Sequence, residues 1–149
     1  MDARIRKAKE SDLPAIAGLT TELIESVDNA EGLSINVLSK NYQILLGDPD
    51  SHILVAEVDE TVIGIINFAV RRTLLHSGLS GLIDELVVTK VYRGKGIGKK
   101  LICSAVDKCR QLGCCEIEAS TECTNTNARG FYKSCGFDER GVLLEKDLI

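Results

Sequence analysis

The sequence predicts a mixed α/β fold, and three observations carry that prediction. An apolar stretch at 82–88 leads through a glycine-rich loop into an amphipathic helix and then into a short strand at 114–119. A strand-helix-strand crossover in one sheet returns in the same direction, so this pair is expected to be parallel. Upstream, His52–Val58 and Thr61–Val70 flank the two-residue turn Asp59-Glu60, the spacing of an antiparallel hairpin. Apolar residues at helical spacing in 12–25 and 34–46 supply a covering layer.

The remaining elements follow in order. Arg4–Ala8 alternates weakly and reads as an edge strand, and Ser11 is placed to cap a helix that runs to about Glu25 and tolerates Pro14 in its first turn. Residues 28–33 form a polar, glycine-containing connection, after which Ser34 caps a second helix that ends at Gly47-Asp48-Pro49-Asp50. Gly64 marks a bulge or twist within the hairpin. Arg71–Ser80 reads as a polar loop long enough to line a substrate mouth. A two-turn helix follows the strand at 114–119, capped by Asn125 and stopped by Gly136, and Val142–Leu148 reads as a final strand.

With 149 residues the chain fits one domain, and 44% hydrophobic with 27% charged residues is ordinary globular composition. No leader pattern and no long apolar run is present, so export and membrane insertion are not expected and the cytosol is the default. The six cysteines form no C-x-x-C pair and read as buried thiols, and the two histidines lack ligand-type partners, so no metal is expected. A net charge of −4 argues against nucleic-acid binding. Positive charge is local: Lys90, Arg93, Lys95, Lys99, Lys100, Lys108 and Arg110 face only Asp107 in the same stretch.

That cluster surrounds Gly94, Gly96 and Gly98, which let the backbone turn tightly and present successive N–H groups at a helix N-terminus. Such a terminus carries about half a positive charge and is an anion site before side chains are counted. The spacing excludes two phosphate motifs. A Walker loop needs four residues between its glycines and then Lys-Ser/Thr, and a dinucleotide fingerprint needs its third glycine three places after the second. Two carboxylates, Asp84 and Glu85, interrupt the otherwise apolar strand before this loop, where burial would raise their pKa. Strict alternation places Asp84 with Leu82 and Leu86, and Glu85 with Ile83 and Val87.

Arg93-x-x-Gly96-x-Gly98 closely resembles the acyl-CoA loop of the GNAT superfamily of N-acetyltransferases. A second segment, Asn125-x-x-Ala128-x-x-x-Tyr132-x-x-x-Gly136-Phe137, resembles another pattern of that family, in the correct order. The resemblance implies a central, mostly antiparallel sheet with a parallel splayed strand pair, flanked by about four helices. It implies acetyl-CoA as acyl donor, an amine acceptor and direct transfer without a covalent enzyme intermediate.

The expected binding groups are the backbone of Leu86, Val87 and Val88 for the pantetheine arm and the amides of Gly94, Lys95, Gly96, Ile97, Gly98 and Lys99 for the pyrophosphate. Arg93 and the lysines suit steering and the 3′-phosphate, and Asn125 suits the pantetheine or its local backbone. The reaction needs a base for the amine and an acid for the departing thiolate. Tyr132 is the implied acid, and Glu85, Asp84 or an ordered water the base. A homodimer is the oligomer that the resemblance suggests, and a non-catalytic acyl-CoA-binding module is the competing reading. Acceptor selection falls to 26–50 and 71–80.

Overall fold

The computed structural model describes residues 2–25 and 34–149. The expected connection at 28–33, and the first part of the 26–50 acceptor segment, lie outside the described residues. The chain divides into two compact units, Met1–Ala119 and Ser120–Ile149.

The first unit is a five-stranded sheet ordered β1-β2-β3-β4-β5, with β1 Arg4–Lys7, β2 Ser51–Val58, β3 Thr61–Arg71, β4 Leu79–Val88 and β5 Cys114–Ala119. Its first four strands are antiparallel neighbours, and β4 and β5 are parallel. Three helices cover it: α1 Leu13–Glu25, α2 Ile35–Gly47 and α3 Ile97–Gln111. Ile16, Leu19 and Tyr42 of the first two helices pack with Ile53, Val55, Ile65 and Val87 of the sheet. Gly64 lies beside Ile65 and therefore points to the other face. A Cβ there would come within 3.2 Å of both Leu101 Cδ1 on α3 and the Val87 carbonyl. Glycine at 64 is what lets helix and sheet approach.

The β2–β3 turn places Asp59 and Glu60 at positive φ, as a two-residue hairpin turn requires. The expected irregularity at Gly64 is present, because Ala56 pairs with Gly64 while Glu57 pairs with Val62, leaving Ile63 as the extra residue. Ser34 caps α2 by accepting from Val37 N–H at 3.2 Å.

Ser11 does not cap α1. A 3-10 turn, Glu10–Asp12, precedes that helix, and Asp12 closes the turn by accepting from Lys9 N–H at 2.9 Å. The same carboxylate is held by the fork of Arg6, which fixes it better than a serine hydroxyl would.

Three other expectations are corrected. Leu79 and Ser80 belong to β4, not to the preceding loop, because Ser80 pairs with both Arg71 and Glu116. The cysteines are not uniformly buried: only Cys109 is, and Cys103, Cys115 and Cys123 are exposed. Val142–Leu148 forms no strand, and Val142, Leu143, Leu144 and Leu148 stand exposed without a ladder. An apolar run alone does not make a strand when no neighbouring edge pairs with it.

The second unit contains one helix, α4 Thr126–Ser134. Asn125 caps it by accepting from Ala128 N–H at 3.0 Å. Its C-terminus closes through Gly136 at φ 92, with Phe137 N–H on the Tyr132 carbonyl and Gly136 N–H on the Lys133 carbonyl, both at 3.0 Å. This is a Schellman closure, and its usual apolar contact is made by the rings of Phe137 and Tyr132, 5.3 Å apart. The Tyr-x-x-x-Gly-Phe spacing is thus what stops the helix one turn after Tyr132. Arg129 adds a two-pronged pair with Glu139, at 2.7 and 3.1 Å.

Candidate active site

One of the irregular points of the first unit's sheet lies in β4. Asn67 pairs with Glu85 but Phe68 pairs with Ile83, so Asp84 is an extra residue bulged out of the ladder. This overturns strict alternation. Beyond the bulge Glu85 shares a face with Val87, and before it that face belongs to Leu82, which pairs with Ala69, not to Ile83. The bulge therefore turns Glu85 onto the α1–α2 side of the sheet, where Val87 and Ile65 meet the helices.

Glu85 is held there by the buried Asn67, whose Nδ2 donates to Oε2 at 2.6 Å. The carboxyl is pushed above the usual carboxylate range, first by burial and further by the neighbouring Asp84, while the Asn67 bond opposes the shift. Asp84 is raised by burial alone. A carboxylate whose proton affinity is increased, yet which keeps solvent access, is suited to accept a proton from an ammonium or a polarised amine.

The last pairing of β4 with β5 joins Ile83 to Ala119, and residues 84–88 run on past it. Among the described residues no strand pairs with that stretch on the β5 side. Leu86, Val87 and Val88 thus form a strand edge without a ladder partner, the kind of surface on which an extended amide-bearing chain forms a ladder, with the Val88 carbonyl held by Arg93 Nε at 2.8 Å. Val87 itself is buried, and its side chain packs in the core.

Past this edge a 3-10 turn, Lys90–Tyr92, leads to the glycine loop. Gly94 and Gly96 have φ of 74° and 81°, and a Cβ built at either meets nothing within 4 Å. The glycines serve backbone conformation over open space, not close packing. Gly96 is the N-cap of α3 and carries no capping side chain, so the first N–H groups of that helix face an open cradle. An anionic group fits it. Gly98 lies within α3 and Ile97 is 3% exposed, which anchors the loop to the core.

The basic side chains divide. Lys95 lies over the Tyr92 ring, 5.4 Å from its centre, and Lys99 is exposed. Arg93 is turned back on the protein: its Nε donates to the Val88 carbonyl at 2.8 Å and its Nη2 lies 3.9 Å from Glu22 Oε1. It buttresses the strand-to-loop junction.

Asn125 and Tyr132 belong to the second unit, where Asn125 acts as a helix cap and Tyr132 lies between Phe131 and Phe137. Burial, with a contribution from Cys135, pushes the Tyr132 phenol up to about 12. It keeps its proton at neutral pH, as a general acid must.

Two residues escaped the sequence reading. Asn67 is the lone amide in the apolar run 62–70, a signal of the same kind as the two carboxylates of β4. Glu22 gave none, because its partners are 67 or more positions away and only folding brings them together.

Comparison with known proteins gives the family. The acetyltransferase (GNAT) family model matches residues 18–137. The aminoalkylphosphonate N-acetyltransferase of Salmonella typhimurium is 29% identical over 144 residues, covering 97% of this chain and 90% of that protein. The glucosamine 6-phosphate N-acetyltransferase of Arabidopsis thaliana is 30% identical over 76 residues, covering 51% of this chain and 49% of the relative. A crystal structure of glucosamine-6-phosphate N-acetyltransferase from Arabidopsis thaliana superimposes over 100% of both chains with a TM-score of 0.80 at 23% identity. With the bulged carboxylate strand, the open edge and the glycine cradle all inside the matched span, the chain belongs to the GNAT family of acetyltransferases.

Proposed function

We propose that this acyltransferase moves the acetyl group of acetyl-CoA directly to the primary amine of a small molecule, with Glu85 as base and Tyr132 as acid. The observation that carries the reading is Glu85: a carboxylate of raised pKa, aimed by a β-bulge and held by Asn67. Glu85 takes a proton from the amine as the new N–C bond forms. The phenol of Tyr132 gives its proton to sulfur as the C–S bond breaks. The open edge at 86–88 and the amides of 94–99 are the groups we assign to the donor's pantetheine and pyrophosphate.

A small acceptor is favoured over a protein N-terminus because a relative that aligns over 97% of the chain is named for an aminoalkylphosphonate, whereas those named for N-alpha or ribosomal-protein alanine acetylation align over 40–68% of it. A second is named for an amino sugar phosphate. The test is an acceptor panel read by free-thiol release, containing aminoalkylphosphonates, glucosamine 6-phosphate, amino acids, an aminoglycoside and short peptides with free N-termini. Turnover on a small amine with kcat/KM well above that on any peptide is expected. Turnover confined to peptides would overturn the acceptor class.

A further inference from the structure

We propose that Glu22, on α1, is a positioning residue for acyl-donor binding, setting the conformation of the turn that feeds the glycine loop. The proposal rests on the reading that this loop binds the donor's phosphates. Glu22 Oε1 accepts from the backbone N–H of Lys90 at 3.0 Å and lies 3.9 Å from Arg93 Nη2. The Thr89 side chain further favours the ionised carboxylate. One side chain therefore grips positions 90 and 93, between the end of β4 and Gly94. Through Arg93, which also holds the Val88 carbonyl, the grip extends back to the open strand edge.

The loop needs such a grip. Gly94 and Gly96 have no side chains to pack and open space around them, so their neighbours must define where the amides point. On one side the buried Ile97 does this. On the other, Val91 is exposed and Tyr92 only half-buried, so the turn is tied to the scaffold by polar bonds: Thr89 N–H to the Ile63 carbonyl, Arg93 to the Val88 carbonyl, and Glu22, which reaches it from α1. Holding a binding loop in its bound conformation lowers the ordering cost of binding. Glu22 touches no reacting atom in this account and acts through Lys90 and Arg93.

The experiment measures CoA binding by calorimetry and amide exchange across 89–99 in Glu22→Ala and Glu22→Gln, with Gly96→Asp as control. Glu22→Ala is expected to raise the Kd for CoA about tenfold and speed exchange at Lys90. Glu22→Gln keeps an acceptor for Lys90 N–H but loses the charge that pairs with Arg93, so its Kd should rise about threefold. A loss of stability alone would lower Tm without changing the Kd of the folded protein. If folded Glu22→Ala binds CoA as tightly as the parent while Gly96→Asp does not bind, the role of Glu22 is overturned and the loop reading stands. If Gly96→Asp also binds normally, the loop reading itself falls and the proposal with it. Should Glu22→Ala fail to fold, a parental Kd in Glu22→Gln overturns the proposal.

Discussion

Asn67 and Glu85 face each other across the β3–β4 ladder, and the 2.6 Å bond between them is made one residue after the bulge at Asp84. The pairing has opposite consequences for stability and for catalysis. Glu85 has a raised pKa in the folded state, so its favourable contribution is complete below its ordinary value of 4.5 and is lost as pH rises through the folded pKa. At neutral pH its charge is a cost. Glu85→Gln should therefore fold with an unchanged or higher Tm at pH 7, and less change in Tm above pH 4.5. Its kcat should fall about a hundred- to ten-thousand-fold. Wild-type kcat in this variant would remove Glu85 as the base.

Asn67 supplies the one bond that lowers the Glu85 pKa. Asn67→Leu removes it, so the acid limb of the kcat/KM profile should move to higher pH. A profile superimposable on the parent would show that Glu85 does not govern that limb.

The order of elements was readable because each announces itself locally: the hairpin by Asp59-Glu60, α2 by Ser34, α4 by Asn125 and Gly136. The glycine loop was readable for the same reason, since the glycines mark where the chain takes positive φ. The direction of Glu85 was not, because one bulged residue reverses the face of all that follow, and a bulge is decided by pairing with β3. Nor was the state of 142–148, whose apolar start at 142–144 is compatible with a strand but needs an edge to pair with. Glu22 and the Arg6 network belong to tertiary structure alone.

Arg6 makes two bonds of 2.8 Å to Asp12 and one of 2.7 Å to Glu57, joining β1 to the start of α1 and to β2. Asp12 is 5% exposed, so Arg6→Ala would leave a buried carboxylate with the Lys9 N–H but no cation, a loss that costs up to about 3–5 kcal/mol. The Arg6 bonds hold the Asp12 pKa below its ordinary 3.8, so this contribution is present above that value and is lost as pH falls through the folded pKa. Denaturation titrations should show the parent losing stability below about pH 3.8, and Arg6→Ala losing less there. Parallel pH profiles would discount the network.

Gly96 lies at φ 81° over open space. Gly96→Ala should cost about 1 kcal/mol through left-handed strain while leaving the cradle's charge intact. Gly96→Asp adds a negative charge where phosphate is proposed to bind and should nearly abolish CoA affinity. Binding to the parent should weaken with added salt. Calorimetry that finds equal affinity in the parent and Gly96→Asp would remove the loop from the site.

Removing only the hydroxyl of Tyr132 separates proton donation from packing. The ring closes the Schellman turn against Phe137, so Tyr132→Phe preserves that contact, and both the fold and CoA affinity should survive. The chemical step should slow about a hundred- to ten-thousand-fold, the usual contribution of general acid assistance. The pH dependence supplies a second reading. Burial raises the phenol from 10.0 to about 12, so its favourable contribution to stability is complete below pH 10 and is lost as pH rises from there through about 12. Tyr132→Phe should therefore remove part of the parent's alkaline loss of stability and leave neutral stability nearly unchanged. Turnover that matches the parent under chemistry-limited conditions would return Tyr132 to a packing role and leave protonation of the thiolate to water.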